Sequence, residues 1–262
     1  MNTGFFAQPN PPYRRANYSF AYQWLEDVGS LAALLAHVEA LRAADPAHRY
    51  LCTLDDIQQG SYTSGHASQD DRLYLASPLD MDWDDSAQEA AWDIQALQHR
   101  ARQLRQAQGP QRWADVCGSL AVSASDIDAL LAANCSPDLL LDDVVYIQRL
   151  PLASDDPLIA GQPNGYFSAD WDSFQNHAIH QRLAQQHGYQ LYAMGAAWMA
   201  LARPQPPDGA QAQALVEDLR ALYASGDEAL LAHPGWQALP AVLQTQRILV
   251  MGYTDDMADR WE

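Results

Sequence analysis

The stretch SFQNHAIHQRLAQQHGYQLYAMGAAWMALA, residues 173–202, decides the fold class. Ser173–His187 reads as an amphipathic helix ended by Gly188. Two apolar runs follow, Tyr189–Met194 and Ala197–Ala202, and Gly195 joins them as a hairpin. Upstream, Val144–Leu150 reads as a strand, and Tyr166–Ala169 as a second one after a Pro/Gly loop. Downstream, RPQPPDG leads into a helix with Ala212, Leu215, Val216, Leu219, Leu222 and Tyr223 on one face, ended by Gly226. A last helix near Gln237–Gln246 precedes an edge strand at Ile248–Met251. Strand, strand, helix, hairpin, helix is the order of an α+β protein, and the reading is a mainly antiparallel sheet with helices packed on one face.

The N-terminal half is richer in helix. Ser30 caps a helix with Leu31, Leu34, Leu35, Val38 and Leu41 on one side, stopped by Asp45-Pro46. Arg49–Leu54 and Arg72–Ala76 read as strands, with the polar segment QQGSYTSGHASQDD (58–71) as a loop between them. Ser86 with Glu89 suggests a capping box at the head of a helix striped by Ala90, Ile94, Leu97, Ala101 and Leu104, closed by Gly109-Pro110. A shorter helix is expected from Ser125, with Asp128 in its first turn, to about Asn134. Residues 1–20, rich in Pro, Asn and aromatics, read as an arm. The domain reading is therefore an arm (1–20), a helix-rich acidic lobe (21–142) and an α+β lobe (143–262), two lobes in one body. Leu139-Leu140-Leu141 is too apolar to be an open linker.

Composition narrows the chemistry. The chain has 262 residues, with 33 acidic and 15 basic side chains and a net charge of −18. Every basic residue is arginine, which removes the P-loop lysine, Schiff-base lysines and a kinase-type lysine. Arginine- and alanine-rich usage fits a GC-rich bacterial genome. Such a negative chain repels nucleic acid and anionic membranes, so neither is expected as a partner. Hydrophobic residues make up 48% of the chain, enough for a core, with no apolar run that would span a bilayer and no signal-peptide pattern at the start. A cytoplasmic location is expected. Cys52, Cys117 and Cys135 have no metal or disulfide spacing and read as small buried residues.

Half of the net charge sits in one segment. Residues 55–93 hold ten acids and one arginine, Arg72. Their densest run is Asp80-Met81-Asp82-Trp83-Asp84-Asp85. It departs from a calcium loop by having Asp85 and Ala91 where glycine and glutamate belong. The reading here is a strand end with Leu79, Met81 and Trp83 pointing inward, followed by a negatively charged helix cap. Asp170-Trp171-Asp172-Ser173 echoes Asp82-Trp83-Asp84-Asp85, each before a Gln-rich helix. Both tryptophans, flanked by aspartates, are expected to be partly exposed and to contribute to a binding surface.

Histidines supply the rival chemistry. His177 and His180 stand at i, i+3 behind Asp170 and Asp172, a set able to transfer protons or ligate a metal. Yet HxxH lacks the glutamate of the zinc-protease motif. His180 and His187 are about 10.5 Å apart along a helix, too far to share an ion. No catalytic residue is assigned, and no cofactor is expected, since GxGxxG, GxSxG and papain-like surrounds are missing.

The expectation is a bacterial protein-binding module that engages a basic protein partner through Asp80, Asp82, Trp83, Asp84, Asp85, Asp170, Trp171 and Asp172. An immunity-type toxin inhibitor is one concrete form of it. The alternative is a metal-dependent or general acid/base hydrolase built on Asp170, Asp172, His177 and His180.

Overall fold

The computed structural model describes all residues except 9–10, 14–18, 107–110, 256, 260 and 262. The Gly109-Pro110 stop lies outside the described residues. Strands β1 (Asn2–Phe5), β2 (Ala21–Glu26), β3 (Arg49–Thr53), β4 (Val144–Leu150), β5 (Gln190–Met194), β6 (Trp198–Ala202) and β7 (Ile248–Gly252) form one sheet, ordered β1-β2-β4-β3-β5-β6-β7. Neighbours are antiparallel except β3 and β5, which run parallel. The helices are α1 (Leu31–Ala44), α2 (Ile57–Ala67), α3 (Ser86–Gln106), α4 (Trp113–Val116), α5 (Ala124–Cys135), α6 (Ser173–His187), α7 (Gly209–Ala224), α8 (Glu228–Leu231) and α9 (Gly235–Leu243). This is a mixed α+β fold with a mostly antiparallel sheet and helices packed against it. Among the described residues, no helix is long and apolar enough to cross a membrane.

The hairpin of β5 and β6 forms as expected, and its turn is held by side chains from outside the hairpin. Gly195 is required there, because a Cβ would lie 2.0 Å from Asp55 Oδ1 and 2.4 Å from its backbone N. Asp55 accepts from the backbone N–H of Ala197 at 2.9 Å and of Trp198 at 3.2 Å. Gln162 donates to Met194 O at 2.7 Å and Asn164 to Gly195 O at 3.1 Å. These contacts tie residues 162–164, just ahead of α6, to the sheet.

Register shows that the helices cover both faces, which corrects the expectation of one. The pairs Gln23↔Ile147, Cys52↔Ile147, Cys52↔Ala193 and Ala193↔Ala200 place Gln23 and Ala200 on the same face. His37 of α1 bonds Gln23 there at 2.9 Å. Met199 points to the opposite face, where His180 of α6 reaches its sulfur at 3.2 Å. The cause lies in the strands themselves. Trp198–Leu201 and all of Ile248–Gly252 are buried at consecutive positions, so apolar side chains need cover on both sides. The outer edge of β7 is closed by α5, whose buried Asn134 donates to Val250 O at 2.9 Å and accepts from Val250 N at 3.1 Å.

Local chemistry explains the other departures. Residues 57–67 form a helix rather than a loop. Asp56 accepts from Gln59 N at 3.0 Å to cap it, and its inner face is made of Gly60, Ser61, Thr63, Ser64 and Ala67. Residues 72–76 are not a strand: Leu73 N and Tyr74 N turn back on Asp70 O at 2.7 and 2.8 Å. Tyr166–Ala169 is a turn, closed by Asp170 N on Phe167 O at 3.1 Å. Asp85, not Ser86, caps α3, accepting from Ala87 N at 2.9 Å and Gln88 N at 3.4 Å. In α5 the cap is Ser123 with Asp126, two residues before the expected pair. Cys52 is buried, but Cys117 is half-buried and Cys135 exposed, so the three do not share one burial state.

Candidate functional site

The loop from Pro78 to Asp85 has no regular structure and stands in solvent. Its backbone is held by short-range bonds: Asp84 N donates to Asp82 Oδ1 at 3.0 Å and Met81 N to Pro78 O at 3.3 Å. Asp80, Asp82, Asp84 and Asp85 are all exposed, and none pairs with a described arginine or histidine. Hydrogen bonds from Gln88, first its side chain and then its backbone with that of Ala87, hold the Asp85 carboxyl below the usual range. The inward set expected here is overturned. Leu79 is fully exposed, Met81 half-buried and Trp83 57% exposed. The helix behind the loop accounts for this. Within α3 the fully buried residues are Leu97, Ala101 and Leu104. Ahead of them Trp92 and Asp93 are half-buried, Asp93 accepting from the Ser19 hydroxyl at 2.7 Å, and the first turn beside the loop fully buries no side chain.

The second aspartate-flanked tryptophan behaves in the opposite way. Trp171 is 1% exposed, stacks near Tyr223 with ring centroids 5.2 Å apart, and donates its indole N–H to Ser119 Oγ at 3.0 Å. It is a core residue, which removes it from any binding surface. Asp170 is half-buried. Asp172 caps α6, accepting from Phe174 N at 2.9 Å and Gln175 N at 2.8 Å, while its second oxygen takes Arg72 at 2.7 Å. The structure therefore does not present the eight expected residues as one face: Trp171 turns inward, and Asp172 is engaged at a helix cap.

Each histidine of α6 meets a partner within the fold. His180 is buried on Met199, and burial, then the neighbouring His177, pushes it down to about 3. His177 lies 3.4 Å from Asp156, and this pairing is the largest cause holding the Asp156 carboxyl well below the usual range. His187 bonds Asp218 at 2.8 Å beside Arg182, clasping α6 to α7. Among the described residues, no group of three or more His, Cys, Asp or Glu side chains is arranged to hold a metal ion.

Four rings absent from the sequence reading emerge beside Asp172. Tyr62 and His66 of α2 meet Tyr166 and Phe167 of the loop before α6, with successive centroids 4.4, 4.7 and 5.4 Å apart. A cleft of about 360 Å³ opens next to them, lined by His66, Gln69, Asp70, Tyr166 and Asp172. Only the i, i+4 spacing of Tyr62 and His66 could reveal them in the sequence, and it signifies nothing until Ile57–Ala67 is known to be a helix. No protein-family model, curated protein or solved structure matches this chain.

Proposed function

We propose that this chain is a protein-binding module that captures a basic partner through the loop Asp80–Asp85. One observation carries the reading: Trp83 is 57% exposed among carboxylates that have no basic partner among the described residues. An indole in water is a large apolar surface with a polar tip, the residue type that anchors protein interfaces. Unpaired carboxylates around it supply the long-range attraction that steers a cationic protein and rejects an anionic one. An immunity-type inhibitor of a cationic toxin is a concrete form, since such a protein needs charge and fast capture and no chemistry of its own. In this reading residues 21–142 form the partner-facing lobe and residues 143–262 the supporting one.

The test compares the wild-type chain with a variant carrying Asp80→Asn, Asp82→Asn, Asp84→Asn and Asp85→Asn. Both are used to capture proteins from the native host at low and moderate salt, with the captured chains identified by mass spectrometry. A basic protein held by the wild type, weakened by salt and lost from the variant is the expected result. Capture of the same proteins by both chains overturns the assignment of the loop.

A further inference from the structure

In α2 the usual placement of side chains is inverted. Gly60, Ser61, Thr63, Ser64 and Ala67 face the body, while Tyr62 is 54% exposed. Across from it Tyr166 is 45% and Phe167 50% exposed. Small residues inside and large rings outside run against the free energy gained by taking an aromatic side chain out of water. The rings touch one another as a strip instead of being scattered.

The strip is also rigidly presented. Gly165 has φ +89°, and a Cβ there would lie 1.8 Å from the carbonyl oxygen of Trp171, so the chain turns outward at a point only glycine can occupy. Asn164, just before, is buried and pinned on three sides: it donates to Gly195 O at 3.1 Å, accepts from Gly165 N at 2.9 Å, and its carbonyl takes the Ser173 hydroxyl at 3.0 Å. A surface held this firmly loses little entropy when something docks on it.

What docks is indicated by the surrounding charge and by a side chain already there. Asp70 and Asp172 border the cleft, Asp71 follows in the chain, and Arg72 is the sole basic residue from 55 to 93. Arg72 itself donates to Asp70 at 2.9 and 2.6 Å and to Asp172 at 2.7 Å, with its guanidinium 4.2 Å from the centre of the Phe174 ring. Carboxylates beside aromatic faces thus already hold one guanidinium in this corner. We propose that the strip Tyr62–His66–Tyr166–Phe167 is a docking site for an arginine-bearing polypeptide segment, whose guanidinium groups stack on the exposed rings as Arg72 stacks on Phe174. They are drawn there by Asp71, which has no basic partner among the described residues, and by the excess of acids in residues 55–93. This surface is separate from the Asp80–Asp85 loop and does not rest on the assignment of that loop.

The probe is a short peptide of alternating arginine and serine, with its lysine counterpart as control, titrated into the full chain by calorimetry while the His66 ring protons are followed by NMR. The expected result is tighter binding of the arginine peptide, with His66 resonances shifting as it saturates. A Tyr62→Leu/Tyr166→Leu double variant keeps apolar bulk and removes two ring faces. It is expected to weaken the arginine peptide about two- to fivefold per ring and to abolish its advantage over lysine. The loop variant with four asparagines is expected to keep that advantage, which separates failure of this inference from failure of the loop reading. Unmoved His66 resonances at saturation, or an unchanged arginine preference in the double variant, overturns the proposal. So does a shift of those resonances by a neutral oligosaccharide alone, or a concentration-dependent dimer that the double variant abolishes, since the strip then serves a sugar or a second copy.

Discussion

Asp82-Trp83-Asp84 and Asp170-Trp171-Asp172 share the same three letters in the same place, directly ahead of a helix, and end in opposite environments. Trp171 is enclosed because α6 has Phe174, Ile179 and Leu183 buried behind it and because Ser119 accepts its N–H. Trp83 precedes a helix whose first fully buried side chain is Leu97, three turns on, so no core forms next to it. The flanking aspartates diverge with their tryptophans. Asp172 is spent on a helix cap and on Arg72, while Asp80, Asp82 and Asp84 face water without a basic partner among the described residues. What a motif does is therefore set by the apolar stripe of the element that follows it, several residues downstream.

The largest effect that would break this contrast is a matched pair of truncations. Trp171→Ala is expected to destabilise the chain by about 3–5 kcal/mol, through the lost ring and the cavity it leaves. Trp83→Ala is expected to stay within about 0.5 kcal/mol of wild type. Urea unfolding measures both, and equal losses would show that Trp83 is packed after all. Acid comes next. His180 is held neutral in the fold, with its pKa lowered from 6.5 to about 3 by burial. Between those values the unfolded chain binds the extra proton, so this contribution is complete above about pH 6.5 and is lost on descending toward pH 3. Asp55, raised by burial from 3.8 to about 6, works in the other direction, its contribution fading as pH rises through that window. His180→Gln is expected to flatten the acid-side fall in the unfolding midpoint, while the four-asparagine loop variant leaves the His180-dependent part of that fall in place. Smaller again is the cap. Asp172→Ala is expected to cost about 1 kcal/mol by releasing the first N–H groups of α6. Asp85→Ala, at the exposed head of α3, is expected to cost less, because fraying there uncovers no core.

Elements with an uninterrupted apolar period were legible before any coordinates. The hairpin of β5 and β6, strand β4 and helices α1, α6 and α7 all stand within a few residues of where periodicity and capping placed them. Helix α2 was not legible, because its packing face is glycine, serine, threonine and alanine, which carry no hydrophobic signal. Residues 72–76 and 166–169 look like strands by composition, but an Asp70 carbonyl and a glycine at positive φ bend them into turns. Strand order and the parallel join of β3 to β5 leave no trace in single-sequence patterning. The aromatic strip was hidden for a related reason: His66 and Tyr166, one hundred positions apart, meet only once α2 and the loop before α6 are both folded.

The smallest expected effect sharpens the contrast most directly. Unpaired carboxylates packed along one short loop repel one another and the rest of a chain whose net charge is −18. Replacing Asp80, Asp82 and Asp84 with asparagine is therefore expected to raise the urea midpoint slightly at low salt. The difference should vanish at high salt, where such repulsion is screened within a few ångströms. Removing Asp172 should do the reverse, lowering the midpoint at every salt concentration, because a helix cap is a local hydrogen bond rather than a long-range field. If the triple variant instead lowered the midpoint, the loop carboxylates would be supporting the fold as Asp172 does. Their exposure would then be a structural arrangement and not a surface held ready for a partner.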